Sequence, residues 1–316
     1  MHSQRLALVM LLCGSVFILV TWLRPQEGHD RSGISREQFW TIKLGWSQEF
    51  DLVAGGDSRT LCDVSPRAMQ EVALSSKIAN FGFNYVGFNK DYLSGLMSKL
   101  NPRSTSKTIV LGITPRSLAP LNQRVSGYRE ESERPHWRTM LNSHAGGLLA
   151  SLRPIAIRGI VKQTSSKDFY PDGWMAVRMN PPNPDADIAV YQSIFTGNPV
   201  SEGIVDELIA TVQQWSRQDI QVFAFRPPVT AEMLSIENQR SGFREADFIR
   251  RFTDTGGIWL TFDASKYQVC DGSHLDAESA RIFSRDLARG VLEGSFPRAA
   301  TSEAKNGENR VHANNQ

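Results

Sequence analysis

The stretch that decides the fold is FDLVAGGDSR, residues 50–59. A short apolar run ends there in two glycines, an acid and a serine, and a helix-like segment follows. Parallel α/β sheets present nucleophiles in this way, because a tight turn at the carboxyl end of a strand lifts a hydroxyl out of the sheet. The stretch therefore predicts an α/β fold with Ser58 at a sheet edge.

Short apolar runs bounded by turn residues recur along the chain and alternate with helix-like periodicity. The predicted strands are residues 51–54, 78–81, 108–113, 221–225 and 258–262. The predicted helices are residues 66–75, 90–100, 201–217, 244–252 and 276–292. This alternation predicts a three-layer, doubly wound domain over residues 38–296, with a mainly parallel five-stranded sheet.

Two segments do not follow this alternation. Residues 117–199 are rich in Arg, Pro, Gly and Asn, and they are too long for a simple connection, so we expect an insertion over the carboxyl edge of the sheet. Within it, the aromatic segment FYPDGW (169–174) is either a packed turn or a sugar-stacking rim. The tail, residues 297–316, lacks apolar spacing and is expected to be disordered.

The N-terminal residues 6–23 form an uncharged run, LALVMLLCGSVFILVTWL, between Arg5 and Arg24. Eighteen residues are the short end of a membrane span, and no A-x-A-like cleavage site follows. We therefore expect an uncleaved anchor over residues 1–24 and a polar connector over residues 25–37. A cleaved signal peptide is the alternative. Either form places the domain outside the cytoplasm, and the anchored form makes it a single-pass membrane protein.

The net charge limits which classes of partner the protein can bind. The net charge is +2 and the basic residues are scattered, which argues against a nucleic-acid partner.

Beyond the expected anchor, the cysteines are Cys62 and Cys270. Their nearness to Ser58 and Asp271 in sequence allows a disulfide in an oxidising compartment, or two small buried side chains.

A serine hydroxyl needs a base to accept its proton and a carboxylate to orient that base. Of the six histidines, only His274 lies between the last predicted strand and a helix, whereas His136 and His144 fall in the insertion. Asp271 precedes His274 by three residues, in a turn that contains Gly272. One short loop therefore delivers both acid and base to the sheet edge of Ser58.

Metal and cofactor sites have weaker support. His274 with Asp276 is a metal-ligand pair for which no third residue has convincing spacing. Gly55-Gly56 is not followed by the residues of a phosphate-binding loop. The sequence thus predicts no metal and no cofactor.

The blocks GGDSR and DGSHL resemble the first and last blocks of the SGNH/GDSL hydrolase superfamily, in the same order. The resemblance implies Ser58 as nucleophile, His274 as base and Asp271 as its orienting acid. Arg59 is then expected to fix the serine turn or the substrate, or to face solvent.

The middle blocks of this superfamily are only partly matched. The resemblance implies that Gly82, in NFGFN after a predicted strand, supplies an oxyanion N–H. The third-block Asn is absent, because the equivalent strand ends in LGITPR (111–116). The oxyanion hole is then expected to use the N–H groups of Ser58 and Gly82, with Asn84 or Arg116 as further donors. Arg116 is also a candidate substrate-binding residue.

An anchor followed by these blocks resembles the membrane-tethered SGNH-like proteins of teichoic acid D-alanyl transfer and alginate O-acetylation. This implies a serine hydrolase or acyltransferase that acts on an ester of an envelope polysaccharide through an acyl-serine. A membrane-bound acyl donor protein is the implied partner. The missing Asn motivates the alternative, a non-catalytic SGNH-like envelope scaffold or polysaccharide-binding protein.

Overall fold

The computed structural model describes residues 5, 10, 12–16, 34, 36–134 and 165–295. The strands in these residues are β1 (Leu52–Gly56), β2 (Ile78–Asn80), β3 (Thr108–Gly112), β4 (Ser165–Phe169), β5 (Met175–Met179), β6 (Gln221–Phe225) and β7 (Ile258–Leu260). The helices from residue 36 onward are α1 (Arg36–Gly45), α2 (Ser58–Asp63), α3 (Pro66–Gln70), α4 (Lys90–Met97), α5 (Pro120–Arg124), α6 (Gly127–Ser132), α7 (Ile188–Ile194), α8 (Glu202–Arg217), α9 (Ala231–Arg240), α10 (Glu245–Asp254) and α11 (Ala277–Ser295).

Five strands form one sheet in the order β2-β1-β3-β6-β7, and all neighbouring pairs are parallel. Successive residues on a strand face opposite sides of a sheet, and the core divides accordingly. Val53, Ile109 and Val222 belong to one buried cluster, with residues of α4 and α8, whereas Ala54 and Val110 belong to a second, with residues of α11. Helices therefore cover both faces, and the predicted α/β fold with a parallel five-stranded sheet is confirmed.

The predicted strands match the observed ones to within two residues at each end. Helix prediction is less complete. The helix expected over 66–75 ends at Gln70, although Ser65 caps it as its position before Pro66 suggests. Helices α1 and α9 were not predicted, since neither has a regular apolar face: α9 buries only Met233, Ile236 and Glu237.

Part of the predicted insertion forms a two-stranded antiparallel sheet, β4-β5. The FYPDGW segment is the turn between these strands, and it is packed: Tyr170 and Trp174 are buried and stack with ring centroids 4.9 Å apart. Trp174 Nε1 donates to the carbonyl oxygen of Cys62 at 2.6 Å. These aromatic side chains therefore fasten the hairpin to α2 and do not form a sugar-stacking rim.

The structure also distinguishes between the two possibilities for the cysteines, a disulfide or two small buried side chains. Cys62 and Cys270 are both buried, and both are free thiols. Burial raises the pKa of each thiol. They thus behave as small buried side chains in this structure, without a disulfide.

Most of the expected anchor lies outside the described residues, of which only 10 and 12–16 fall within 6–23. In the part of the chain that the structure describes, no helix has the length and apolar character of a membrane span. Most of the connector, residues 25–37, and the whole tail, 297–316, lie outside the described residues as well, as do His136 and His144.

Candidate active site

The site forms where the strand order reverses. The chain leaves β1 for β2 on one side of the sheet and reaches β3 on the other, and such a reversal opens a crevice at the carboxyl ends of parallel strands. β1 ends at Gly56, whose φ is +151°. A Cβ there would lie 2.9 Å from the carbonyl oxygen of Gly112 and 2.1 Å from Thr60 Oγ1. Only glycine fits this turn, which places Ser58 at the first position of α2.

Asp57 fixes the turn on which Ser58 sits. Its carboxylate accepts the N–H of Arg59 at 3.1 Å and caps α2. Its second oxygen accepts the hydroxyl of Thr114 at 2.6 Å. Thr114 follows β3, where the family resemblance expects an Asn, so this strand end supports the serine turn instead of supplying an amide donor.

The loop with His274 returns from the far edge of the sheet. β7 is an edge strand that ends at Leu260, and the following residues run back across the carboxyl edge to α2. Gly272, at φ +93°, forms the tip of a tight loop that is closed by Cys270 N–H donating to the carbonyl of His274 at 2.8 Å. This closure holds the imidazole above Ser58.

Ser58, His274 and Asp271 form one continuous hydrogen-bonded chain. His274 Nε2 lies 3.0 Å from Ser58 Oγ, and its Nδ1 lies 2.8 Å from Asp271 Oδ2. The other oxygen of Asp271 accepts the backbone N–H groups of Ser273 and His274 at 3.0 and 2.7 Å. With the Nδ1 proton directed at the carboxylate, Nε2 can accept the serine proton.

The protonation of the pair suits a base and its orienting acid. Burial opposes the charge on Asp271, but hydrogen bonds from His274 and from backbone N–H groups outweigh it and lower the pKa of Asp271 well below its usual range. Burial likewise disfavours charged His274, yet the hydrogen bond and charge of Asp271 prevail and raise the pKa of His274 above its ordinary 6.5. Asp271 therefore stays ionised, and its charge favours the protonated form of His274.

Asp187 is a further residue of this network that the sequence did not single out. Its Oδ2 accepts the hydroxyl of Ser273 at 2.6 Å, and Ser273 Oγ also lies 3.0 Å from His274 Nδ1. Asp187 sits in the insertion, where no strand or helix pattern pointed to the sheet edge. Only the Pro-rich turn before it indicates a sharp change of direction.

The possible metal ligands that the structure brings together differ from the pair considered in the sequence. Asp276 is not beside a cation site, because its carboxylate accepts N–H groups at the start of α11. Ligand atoms of Asp187, Asp271 and His274 lie within 4.8 Å of one another. Since Asp271 and Ser273 already contact His274 Nδ1, the arrangement in this structure is that of a hydrogen-bonded histidine.

The expected oxyanion donors divide into two groups. Gly82 does not line the cavity, and its N–H donates to Asn80 Oδ1 at 2.8 Å, so the expectation that it holds an oxyanion is not met in this structure. The N–H of Ser58 has no acceptor among the described residues, as its place at the start of α2 requires. Asn84 lines the same cavity as Ser58, and among the described residues its side-chain amide has no hydrogen-bond acceptor.

Arg59 and Arg116 lie in different environments. Arg59 is fully buried, so it does not bind substrate in the cavity: its guanidinium lies 2.8 Å from Glu237 Oε1 and 5.1 Å from the centre of the Tyr191 ring. Its side chain therefore belongs to the buried interior, beside Glu237 and Tyr191. Arg116, in contrast, lines the cavity with Ser58 and His274.

Asp63 couples the serine helix to the histidine loop. It is buried at the end of α2, and its Oδ1 accepts the N–H of Leu275 at 2.9 Å. Burial raises the pKa of its carboxyl to about 8. This single contact joins the element of Ser58 to the residue after His274.

Replacement of Asp63 by alanine is expected to lower the free energy of unfolding by ~1–3 kcal/mol, because the buried Leu275 N–H loses its acceptor. Ester turnover is expected to fall as well, since the loop holding His274 is no longer fastened to α2. Thermal unfolding and kcat measure the two effects. Asp63→Asn keeps an acceptor oxygen and serves as the matched control. Alanine and asparagine variants of equal stability and activity would contradict this role.

Comparisons with known proteins give only distant neighbours. No protein-family model and no curated protein matches the chain. Among solved structures, a G-D-S-L family lipolytic protein of Desulfitobacterium hafniense is similar, with a TM-score of 0.36, 11% identity and coverage of 75% of this chain and 97% of that one. The carbohydrate acetylesterase Est24 of Sinorhizobium meliloti has a TM-score of 0.33, 10% identity and coverage of 77% and 98%. The aryl esterase of M. smegmatis has a TM-score of 0.34, 12% identity and coverage of 77% and 98%. Because the TM-scores of these three structures are this low, the similarity assigns neither a family nor a function to the chain. We therefore infer the function from the geometry of the site.

Proposed function

We propose that this protein is a membrane-anchored, extracytoplasmic SGNH-type serine hydrolase or acyltransferase that acts on an ester of an envelope polysaccharide. The observation that supports it most strongly is the unbroken hydrogen-bonded chain from Ser58 through His274 to Asp271. This chain borders a cavity of about 270 Å³ at the sheet edge. A nucleophile, a base and an orienting acid beside an open cavity are the components of acyl transfer.

The reaction follows from these contacts. Ser58 Oγ attacks the ester carbonyl carbon while His274 Nε2 takes the hydroxyl proton, and Asp271 stabilises the resulting imidazolium. The tetrahedral intermediate collapses, the alcohol leaves with the proton from His274, and an acyl-Ser58 remains. Water or an acceptor hydroxyl then attacks the acyl carbon, with His274 again as base. Release of the acid or of the new ester regenerates the serine.

Stabilisation of the oxyanion is assigned to the N–H of Ser58 and to the amide of Asn84. The former has no acceptor among the described residues, and the latter is a cavity-lining donor. Loss of one such donor costs about 10²–10³-fold in rate. The family pattern also supplies a glycine N–H and a third-block Asn, and here the N–H of Gly82 is bonded to Asn80 and the third-block Asn is absent.

The anchor and the envelope substrate are supported by the sequence alone. The uncharged run of residues 6–23 supports attachment to a membrane. The order of the two blocks behind this run resembles that of tethered proteins that acylate envelope polymers. A membrane-bound acyl donor protein is the corresponding partner in the transferase form of the proposal.

The cellular test compares the acyl content of envelope polysaccharide in strains that carry the wild type, Ser58→Ala or no protein. We expect the Ser58→Ala strain to match the deletion strain. Ser98→Ala is the matched control, because Ser98 is exposed at the end of α4 and its hydroxyl donates to the carbonyl oxygen of Gly95 in the same helix. Acyl content that is unchanged by deletion would contradict the proposal.

A non-catalytic scaffold is the second candidate, and the engagement of the Gly82 N–H with Asn80 favours it. A scaffold would tolerate loss of the nucleophile. Deletion that alters the envelope, together with normal behaviour of both Ser58→Ala and His274→Ala strains, would select the scaffold over the enzyme.

A further inference from the structure

The hydroxyl of Ser273 lies beside three groups that can accept its proton. Its Oγ is 2.6 Å from Asp187 Oδ2, 3.0 Å from His274 Nδ1 and 3.3 Å from Asp271 Oδ1. Ser273 is buried. A serine hydroxyl carries one proton, so it makes one strong hydrogen bond as a donor. The group that receives this proton decides whether Ser273 presents an oxygen lone pair or an O–H to the imidazole.

The direction of this hydrogen bond matters for the base. In the tautomer that can act as a base, His274 carries its proton on Nδ1, and Nε2 is free to accept the proton of Ser58. An O–H from Ser273 directed at Nδ1 needs a lone pair there, and it therefore favours the tautomer with the proton on Nε2. A lone pair of Ser273 Oγ instead accepts the Nδ1 proton together with Asp271 Oδ2, which lies at 2.8 Å. Ser273 thus supports the base only while its own proton points elsewhere.

Asp187 is the acceptor that the distances favour. Its Oδ2 is the nearest of the three groups to Ser273 Oγ, and 2.6 Å is the short distance typical of a hydroxyl that donates to a carboxylate. Asp271 Oδ1, the other carboxylate oxygen within reach, already accepts the backbone N–H groups of Ser273 and His274 at 3.0 and 2.7 Å. The Ser273 proton therefore points to Asp187, and the lone pairs of its Oγ are left for the imidazole.

The predicted insertion holds Asp187 against the histidine loop through its backbone. The N–H of Asp187 donates to the carbonyl oxygen of Asp271 at 3.1 Å. A Cβ at Gly272 would lie 2.3 Å from the carbonyl oxygen of Pro184, so the segment before α7 passes directly over the tip of the loop. Because the backbone of Asp187 is bonded to this loop, the carboxylate reaches Ser273 from a fixed position.

We propose that Asp187 is a second orienting acid of this site, a positioning residue that binds the Ser273 proton and thereby keeps the imidazole proton of His274 on Nδ1. This inference rests on the proposed function and adds a residue to its mechanism. Asp271 holds the Nδ1 proton directly, whereas Asp187 removes the O–H that competes with it. Ser273 keeps its own proton throughout turnover, and His274 alone exchanges a proton with Ser58 and with the leaving alcohol.

The kinetic test uses two single variants and their combination. Asp187→Asn is expected to lower kcat for ester cleavage about 10-fold with little change in KM, because a neutral amide binds the Ser273 proton less well than a carboxylate does. Ser273→Ala alone is expected to change kcat by less than about 3-fold, since it removes one weak acceptor. In the double variant there is no hydroxyl for residue 187 to orient, so kcat is expected to return to that of Ser273→Ala.

Asp185→Asn is the matched control, because Asp185 is exposed two residues before Asp187 and its replacement removes the same charge. This variant is expected to keep the wild-type kcat. A higher KM for Asp187→Asn at unchanged kcat would overturn the inference and assign Asp187 to substrate binding. A double variant as slow as Asp187→Asn would also overturn it, since the loss would then be independent of the Ser273 hydroxyl.

An NMR measurement separates this inference from the proposed reaction. Long-range proton–nitrogen spectra of the full-length protein with isotope-labelled histidine rings, recorded at alkaline pH, report the tautomer of neutral His274, and His274→Gln identifies its signals. We expect protonation at Nδ1 in the wild type and in Asp185→Asn, and a share of Nε2-protonated ring in Asp187→Asn that disappears in the double variant. No substrate is needed, so the result holds even if Ser58 proves to have no catalytic role. The same tautomer in the wild type and in Asp187→Asn would overturn the inference, even if the wild type cleaves esters through Ser58.

Discussion

Replacement of Ser58 by alanine is expected to lower kcat for ester cleavage by a factor on the order of 10⁶, to the level left by binding and oxyanion contacts. The reason is chemical. Without Oγ no acyl-enzyme forms, and His274 has no proton to accept at 3.0 Å. Kinetics on 4-nitrophenyl acetate, followed by release of 4-nitrophenol, give kcat and KM for the purified full-length protein.

The fold should be unaffected by this change, because no described residue other than His274 receives a side-chain hydrogen bond from Ser58. Thermal unfolding of Ser58→Ala is the control for this statement. Ser98→Ala should keep wild-type kinetics. A Ser58→Ala protein that retains more than about a hundredth of the wild-type kcat would contradict the assignment of Ser58 as nucleophile, since a lost nucleophile costs far more.

Replacement of Asp271 by asparagine is expected to lower kcat by about 10⁴-fold while the site keeps its shape. An amide at this position no longer holds the Nδ1 proton toward itself, so His274 can adopt the tautomer in which Nε2 carries the proton. That tautomer cannot accept the serine proton. Steady-state kinetics of Asp271→Asn, with Asp271→Ala for comparison, measure the loss.

The pH profile separates this role from a merely structural one. Neutral His274 is the active form, so kcat/KM should fall as pH drops through its pKa, which the charge of Asp271 raises above 6.5. Removal of that charge lowers the pKa, and the acid limb of Asp271→Asn should therefore move to lower pH. An acid limb at the same pH in both proteins would contradict the proposed pairing.

The sequence predicted the sheet well, because each strand is a continuous apolar run bounded by turn residues, and parallel strands buried on both faces require such runs. It also brought Ser58, Asp271 and His274 together by their places beside strand ends, and the structure places them within hydrogen-bonding distance.

The parts that sequence reasoning missed depend on long-range contacts. Gly82 matched a family position, but its N–H is taken by Asn80, a neighbour whose orientation follows from bonds to the carbonyls of Thr60 and Val64. Arg59 was expected to fix the serine turn, to bind the substrate or to face solvent, whereas its side chain pairs in the core with Glu237, which lies far along the chain. No local pattern specifies such partners.

His274 reaches the site in a way that strand adjacency did not predict. β7 is an edge strand separated from β1 by β3 and β6. The residues after it carry His274 back across the sheet, where Asp63 and Gly272 fix the loop. The position of His274 shortly after a strand in the sequence was enough to predict the correct edge of the sheet. Its position along that edge depends on the tertiary contacts of its loop.

Covalent labelling of the nucleophile gives the sharpest test of the enzyme proposed here. The purified full-length protein is treated with a fluorophosphonate probe, digested and analysed by mass spectrometry, with Ser58→Ala, His274→Ala and Ser98→Ala treated in parallel. We expect one adduct on the peptide that contains Ser58 in the wild type and in Ser98→Ala, and none in the other two variants. Absence of an adduct on Ser58 in the wild type, or equal labelling of His274→Ala, would contradict the activation of Ser58 by His274.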